Sequence, residues 1–235
     1  MSGRIHAHAL VLGGSGHVGA AVVRGLRGQG LPTTFTFHRS RERAAALAVE
    51  TGAVAHSLDL RDAATVERAL ASLSPPPDVL VHCAGVGAWR TLGEIDAALF
   101  DETLAVNARA AFLACRALVP RMADGGDVVL VSALDGIAKV PSPTHFAMSQ
   151  AALLGLAHSL AKEAGPRGVR TNIVVLGPLD GGLSASLSPD LVAQYRAFSA
   201  LGRTGTAEEA ARAIVRLALE NTYMNGAELV LTGGI

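Results

Sequence analysis

The sequence predicts an α/β protein built on a doubly wound parallel sheet of seven strands, with helices on both faces and a single domain over residues 1–235. Short apolar and β-branched runs alternate with longer alanine-rich stretches of helical period, which is the pattern of repeated βα units. Half of the residues are hydrophobic but only 4% are aromatic. No linker or shift in composition divides the chain, so one sheet takes all of the strands.

The strands are predicted, in chain order, where apolar or β-branched runs are bounded by glycine, proline or polar residues. They are Ile5–Leu12, Thr33–Phe37, Ala53–Leu58, Val79–His82, Val128–Ser132, Thr171–Leu176 and Glu228–Leu231. The first run is too short, and too soon followed by glycine, for a signal peptide or a membrane span. We therefore expect a cytoplasmic protein without a membrane segment.

The helices are predicted between these strands, where apolar residues recur with helical period. They lie near His17–Gln29, Arg41–Glu50, Ala63–Leu73, Ile95–Met122, His145–Ala164 and Ala207–Leu219. Residues 181–199 break the alternation with glycine, serine and proline. We expect this segment to be a mobile lid over the carboxyl ends of the strands, close to a bound substrate.

Charge and cysteine content exclude several classes of function. Twenty basic residues balance twenty acidic ones, so the chain has no broad basic face for nucleic acid. Cys83 and Cys115 cannot form a disulfide framework, and the eight histidines show no metal-ligand spacing with them. We expect neither a metal site nor a nucleic-acid partner.

A glycine-rich turn directly follows the first predicted strand and opens the first helix. It reads Gly13-Gly14-Ser15-Gly16-His17-Val18-Gly19. Glycines at 13, 16 and 19 allow a sharp turn, close approach of a pyrophosphate and tight packing of helix on strand, as in Rossmann-type dinucleotide sites. We expect this turn to bind a dinucleotide, and a tight turn without a ligand is the alternative. His17 is expected to position the backbone rather than to catalyse a reaction.

The end of the second strand indicates which dinucleotide is preferred. A site for NAD usually places an acidic residue there, on the ribose 2′-hydroxyl, whereas this chain has Arg39 and Arg41 around Ser40. Arginines favour a 2′-phosphate, so we expect NADP(H), with Arg39 and Ser40 at the phosphate. The alternative is a solvated, charged helix start. Asp59 and Leu60, after the third strand, are expected near the adenine.

These motifs, with several that follow, resemble the short-chain dehydrogenase/reductase family over essentially the whole chain, and the second half resembles 3-oxoacyl-[acyl-carrier-protein] reductases. The further motifs are Asp59, Cys83-Ala84-Gly85, Val106-Asn107-Ala108, Gly177-Pro178, Leu201-Gly202-Arg203, Ala207-Glu208-Glu209-Ala210, Asn225-Gly226 and Gly233-Gly234. The resemblance implies that Ala84 and Gly85 contact the cofactor. It also implies a homodimer or homotetramer.

The catalytic positions of that family are largely replaced in this chain. The family uses an asparagine, a serine, a tyrosine thirteen residues after the serine and a lysine four residues further on; these positions hold Asn107, Ala133, Phe146 and Gln150 here. Tyrosine delivers a proton to the carbonyl oxygen, and lysine favours the phenolate. Phenylalanine cannot transfer a proton, so conventional ketoreduction is not expected.

Few residues near the expected reaction centre remain as candidates. Asn107 and Ser132 are predicted to be the catalytic residues, although Ser132 could equally satisfy backbone groups at the end of its strand. His145 is the one obvious base, but it should point about 100° away from Phe146 on their helix. Asp135 is expected to be a turn residue, and Cys83 a small apolar residue rather than a nucleophile.

Two functions remain open at this stage. The first is a divergent NADP(H)-binding enzyme that acts on an oxo- or hydroxyacyl substrate, free or bound to a carrier protein, by a non-standard mechanism. The second is an inactive reductase-like subunit that partners an active paralogue in a fatty-acid or polyketide complex. Whether the protein is an enzyme is therefore undecided. A regulator that senses nucleotide is less favoured, because nothing in the chain resembles a DNA-binding element.

Overall fold

The computed structural model describes residues 6–235 and contains one parallel sheet in the order β3-β2-β1-β4-β5-β6-β7. The seven strands are β1 (Ala9–Leu12), β2 (Thr33–Phe37), β3 (Val54–Ser57), β4 (Val79–His82), β5 (Asp127–Ala133), β6 (Arg170–Leu176) and β7 (Glu228–Leu231). The predicted α/β class, strand number and parallel sheet are confirmed.

The first strand is shorter than predicted. It begins at Ala9, whereas the predicted start, Ile5, lies outside the described residues. Ala9 pairs with Thr33, and the Ala9 amide bonds the carbonyl of Pro32, 2.9 Å away. Because proline lacks an N–H group, the neighbouring strand cannot continue its ladder before Thr33.

Eight α-helices within residues 6–235 flank the sheet. They are α1 (His17–Gly28), α2 (Arg41–Thr51), α3 (Ala63–Ala71), α4 (Ala97–Leu104), α5 (Ala110–Leu118), α6 (Thr144–Ala164), α7 (Pro189–Phe198) and α8 (Ala207–Leu219). All six predicted helical segments are present. Helix α7 was missed, because it lies in the segment that the sequence analysis interpreted as an irregular lid.

The long helix predicted over Ile95–Met122 is interrupted rather than regular. Asp96 caps its start by accepting a hydrogen bond from the Leu99 amide at 2.8 Å, so α4 begins at Ala97. A π-helical turn, Ala105–Arg109, then joins α4 to α5. Such turns are rare and frequently mark functional sites. This one contains Asn107.

Helices cover both faces of the sheet, as a doubly wound fold requires. Leu10 and Leu12 of β1 pack with α3, α5 and α6, whereas Ala9 and Val11 pack with α1, α2 and α8. This alternation follows from the two-residue period of a strand. The chain crosses from one side of β1 to the other between β3 and β4, so a crevice opens at the carboxyl ends of β1 and β4, where doubly wound proteins bind ligands. None of the helices within residues 6–235 has the length and apolarity of a transmembrane span.

Candidate functional site

A cavity of about 810 Å³ lies at this edge of the sheet. The glycine-rich turn forms one end, the residues after β4 and β5 form the floor, and the segment after β6 closes over it. This volume is in the range of cofactor and small-molecule sites. The cavity is therefore the candidate functional site, at the position that the fold predicts.

The glycines of the turn are required by close backbone contacts. Gly13 has a φ of +77°, and a Cβ there would lie 2.6 Å from the Cα of Ala84. At Gly19 a Cβ would lie 2.3 Å from the carbonyl oxygen of Gly13. Neither position accepts a side chain, so the turn lies directly against the loop after β4 and against its own helix.

Helix α1 begins without a side-chain cap. Its N-cap residue is Gly16, and no side-chain oxygen accepts a hydrogen bond from the first-turn amides. Ser15, Gly16, His17 and Val18 all line the cavity. Uncapped amides at a helix N-terminus bind anions, because the amide donors and the helix dipole both favour negative charge. The turn therefore fits a pyrophosphate group.

His17 connects this turn to the lid. Its Nε2 lies 3.0 Å from Oδ1 of Asp180. A Cβ at Gly181 would lie 2.8 Å from the imidazole ring. The lid backbone therefore packs directly on His17, and this side chain has a contact that the sequence analysis did not foresee.

The residues predicted for the adenosine end are only partly brought to the cavity. Arg39 is exposed, and neither Arg39 nor Ser40 lines the cavity, but Ser40 accepts a hydrogen bond at 2.5 Å from Arg43, which does. Asp59 is held by the guanidinium of Arg61, with Oδ2 2.7 Å from Nη2, and this ion pair lowers the pKa of Asp59 to about 2. Leu60 is buried in the core cluster under α3 and α5. Neither Asp59 nor Leu60 lines the cavity.

The loop after β4 forms the floor. Cys83, Ala84 and Gly85 line the cavity, which brings Ala84 and Gly85 to the position expected of cofactor contacts. Burial raises the pKa of the Cys83 thiol to about 12. Because the thiolate is the nucleophilic form, Cys83 is an unreactive thiol near neutral pH.

Asn107 is fully buried and its side chain is bonded within the protein. Its Nδ2 donates to the Val86 carbonyl and to Oγ of Ser149, each at 2.9 Å, and its Oδ1 accepts from the Val86 amide at 2.8 Å. Its own carbonyl oxygen lies 3.0 Å from Nε2 of His82. Both amide protons of Asn107 are used, and the side chain does not line the cavity. Burial lowers the pKa of His82 to about 4, so that imidazole is neutral.

Ser132 lines the cavity, but its hydroxyl donates to the backbone carbonyl of Gln150 at 3.1 Å. This contact matches the alternative in which a strand-end serine satisfies backbone groups. Gln150 in turn donates from Nε2 to Oγ of Ser149 at 3.3 Å, and Ser149 donates to the Phe146 carbonyl at 2.7 Å. A closed polar network thus links Asn107 to the cavity wall.

Ala133, Phe146 and Gln150 all line the cavity, as the family pattern requires of those positions. The Phe146 ring lies against Gly87, where a Cβ would be 3.0 Å from its Cδ2. His145 is buried and does not line the cavity, in agreement with the expected helical offset, and burial lowers its pKa. Asp135 lies in a 3₁₀ turn after β5 and does face the cavity.

Several residues of the cavity wall were not predicted from the sequence. An apolar group of the wall consists of Trp89, Pro143, Leu183 and Leu187. Tyr195 of α7 also lines the cavity, is 6% exposed, and places its hydroxyl 3.4 Å from the Pro141 carbonyl. The apolar spacing of Leu191, Val192 and Tyr195 is a helical signal that could have revealed α7.

Comparison with known proteins identifies the family. The family model described as "Enoyl-(Acyl carrier protein) reductase" matches residues 15–235. The cyclic-di-GMP-binding biofilm dispersal mediator protein of Escherichia coli (strain K12) is 32% identical over 226 residues, which cover 95% of this chain and 94% of that protein. The chain belongs to the short-chain dehydrogenase/reductase family. This is a family of NAD(P)-binding oxidoreductases.

Two further relatives bear on ligands of short-chain dehydrogenases/reductases. The (3R)-3-hydroxyacyl-CoA dehydrogenase of Canis lupus familiaris is 29% identical over 189 residues, covering 77% of this chain and 73% of that one. The crystal structure of BdcA in complex with NADPH superposes with a TM-score of 0.92 at 32% identity, covering 97% of this chain and 94% of that chain. No group of three or more potential metal ligands occurs among residues 6–235.

Proposed function

We propose that the protein is an NADP(H)-binding enzyme that acts on an oxo- or hydroxyacyl substrate of the fatty-acid or polyketide type, free or carried by an acyl carrier protein. The observation that carries this proposal is the continuity of the cavity, in which the uncapped turn at Gly16 and an apolar chamber around Trp89, Phe146 and Leu187 share one space. The names of the matching family model and of the hydroxyacyl-CoA relative support an acyl substrate.

The reaction must proceed without the family's usual catalytic residues. Ala133, Phe146 and Gln150 stand where the family has serine, tyrosine and lysine, and all three face the cavity. A phenyl ring holds no transferable proton and a carboxamide carries no charge. The side chain of Asn107 is committed to Val86 and Ser149, so it organises the cavity wall rather than a substrate. We therefore propose a non-standard mechanism.

Different residues around the turn would bind different parts of the cofactor. The first-turn amides of α1 would hold the pyrophosphate, and Ala84 and Gly85 would bound the adjacent ribose. Arg39, Ser40 and Arg43 would hold a 2′-phosphate, since guanidinium groups bind phosphate with directed hydrogen bonds. When bound in its reduced form, the nicotinamide supplies a hydride.

The replaced positions Ala133, Phe146 and Gln150 also support a second function. Loss of the serine, tyrosine and lysine positions together would suit an inactive subunit that binds nucleotide, or a carrier-bound acyl chain, beside an active reductase paralogue. The two functions differ in turnover, and an inactive subunit that binds only the acyl chain would differ in cofactor binding as well. We also propose a cytoplasmic location, which the free thiols of Cys83 and Cys115 support.

The deciding experiment is a titration of the purified protein with NADPH, followed by addition of a 3-oxoacyl thioester while NADPH oxidation is recorded. We expect binding and then turnover. Gly16→Asp should raise the Kd for NADPH at least tenfold, because its carboxylate would cap the amides and repel phosphate. Gly28→Ala, which has open space around its Cβ, is the control.

The outcomes separate the two functions. Binding without oxidation of any thioester tested would favour the inactive subunit. Equal NADPH affinity of Gly16→Asp and Gly28→Ala would show that the turn does not hold the cofactor. Absence of any NADPH binding by the unaltered protein would contradict the proposed enzyme and would leave only an inactive subunit that binds a carrier-bound acyl chain.

A further inference from the structure

Helix α7 of the lid segment brings a phenol to the wall of the cavity that Phe146 also lines. Tyr195 is 6% exposed and lines the same cavity as Phe146 and Gln150. The chain has only one other tyrosine, Tyr223, which is 96% exposed and lies outside the cavity. Tyr195 is therefore the only phenol that a ligand in this cavity can meet.

The hydroxyl of Tyr195 is weakly bonded for a buried phenol. Its one hydrogen bond in the described part of the chain is to the Pro141 carbonyl, at 3.4 Å, beyond the usual range for an O–H donor. Buried tyrosine hydroxyls normally have a good partner. The hydroxyls of Ser132 and Ser149 differ, because both donate to nearby backbone carbonyls of α6.

We propose that Tyr195 is the proton donor of this protein, and that it delivers a proton from the lid to the substrate oxygen in place of the missing family tyrosine. This inference rests on the proposed reductase function. In the step, the carbonyl carbon accepts a hydride with its electron pair from the reduced nicotinamide, and the C=O π pair moves onto oxygen. That oxygen takes the Tyr195 proton, which yields an alcohol. The tyrosinate then regains a proton from water.

The surroundings of Tyr195 keep its hydroxyl protonated. Burial and the negative charge of Asp135 both raise its pKa above the ordinary value of 10. The phenol therefore stays protonated across the physiological range, which a proton donor requires. The reverse reaction would need the phenolate as a base, and that form is scarce until the pH exceeds 10. The other ionisable groups on the wall are His17, Arg24, Arg43, Glu50, Cys83, Asp135 and Glu208.

The first test compares Tyr195→Phe with Tyr223→Phe in the NADPH-dependent reduction of a 3-oxoacyl thioester. We expect kcat of Tyr195→Phe to fall about 100-fold or more, which is the usual loss on removal of a general acid, with KM changed only a few-fold. Tyr223→Phe should match the unaltered protein. The Kd for NADPH should be the same in all three, because the hydroxyl removed from Tyr195 bonds the Pro141 carbonyl and not the glycine-rich turn.

A second readout does not depend on turnover. Calorimetric binding of the 3-hydroxyacyl thioester should weaken about tenfold in Tyr195→Phe, because the ligand oxygen loses one hydrogen-bond donor. The third readout is pH: alcohol oxidation by the unaltered protein should become measurable only above about pH 10. Asp135→Asn should shift this limit to lower pH, since it removes the charge that raises the Tyr195 pKa.

Each outcome decides a separate point. Unaltered kcat and product affinity in Tyr195→Phe would overturn the proton-donor role and leave the reductase function standing. A loss of NADPH binding in Tyr195→Phe would show that Tyr195 only holds the lid in place, which also overturns the proposal. Failure of the unaltered protein to oxidise NADPH with any thioester would overturn both the reductase function and this inference. If Tyr195→Phe does not fold, the pH limit in Asp135→Asn decides alone, and an unmoved limit overturns the role.

Discussion

We expect the choice between NADP(H) and NAD(H) to depend on Arg39. Its side chain is exposed, and the nearby Arg43, which lines the cavity, donates a hydrogen bond to the hydroxyl of Ser40. We expect Arg39→Ala to raise the Kd for NADPH about tenfold or more and to leave the Kd for NADH unchanged, because only the 2′-phosphate would meet the guanidinium. Fluorescence titration with both nucleotides measures this.

The control for Arg39→Ala is Arg68→Ala on α3, which removes an equally exposed arginine that bonds only Thr65 nearby. If Arg39→Ala weakened the binding of NADPH and NADH equally, the loss would come from the lower positive charge of the protein and not from a contact with the 2′-phosphate. A 2′-phosphate role for Arg39 would then be contradicted.

The sequence predicted the roles of single residues well where backbone geometry alone determines which residue type fits. The glycine positions follow from steric limits of the turn, and Gly13 and Gly19 have the close contacts that such a turn implies. Side-chain partners were less predictable. The hydroxyl of Ser132 donates to Gln150, and Asp59 bonds Arg61, through contacts set by packing rather than by a local pattern. Tyr195 was missed because sequence spacing cannot show that α7 brings it to the cavity wall.

Among the elements, the lid is the one whose structure the sequence described least well. Its serines and glycines suggested an irregular segment, yet Ser188 caps a regular helix by accepting a hydrogen bond from the Leu191 amide at 3.2 Å. Serine and proline are typical of helix starts as well as of loops, so their presence does not distinguish the two. The π-helical turn at Asn107 was also not predicted from the sequence. It adds a single extra residue to one helical turn, which changes the apolar pattern very little.

The lid backbone at Gly181 packs on His17 of the glycine-rich turn, and the energetic coupling between these two residues can be measured. Gly181→Ala would place a Cβ 2.8 Å from the His17 ring, although the extended φ of −168° accepts alanine. We expect a loss of about 1–3 kcal/mol in the free energy of unfolding, as for other overpacked sites. In a His17→Gly background the same change should cost little. Thermal and urea unfolding of the four proteins gives the coupling energy.

Gly202→Ala is the matched control for this double-mutant cycle. Gly202 has a φ of +67° and open space around its Cβ, so alanine is strained there whatever occupies position 17. Its cost should therefore persist largely in the His17→Gly background. Additive effects of Gly181→Ala and His17→Gly would show that the lid does not pack on His17 in solution.

For the whole molecule, the face formed by α5 and α6 is where we expect a second copy to bind. Phe112 of α5 and Met148 of α6 are each 49% exposed, and a shallow groove lies between the helices, lined by Ala108, Phe112, Ala152 and Leu156. Large apolar side chains around small ones permit close helix packing, and buried aromatic residues commonly anchor interfaces. The family resemblance implies a dimer or tetramer through these helices.

Phe112→Glu should therefore convert the assembly to monomers, because it removes the aromatic anchor and puts a carboxylate, beside Arg109 and Arg116, at the centre of the interface. Light scattering coupled to size-exclusion chromatography measures the mass directly. Val49→Glu on α2 is the control, since Val49 is 89% exposed on another face and should leave the mass unchanged. A monomeric unaltered protein would contradict the predicted assembly, as would a Phe112→Glu protein that keeps its full mass.

Assembly should also affect the cavity, because α6 carries Phe146 and Gln150 of the cavity wall. A second copy packed on α6 would hold this helix in place. The monomeric Phe112→Glu protein should therefore bind acyl thioesters more weakly, while its turn at Gly16 still binds NADPH.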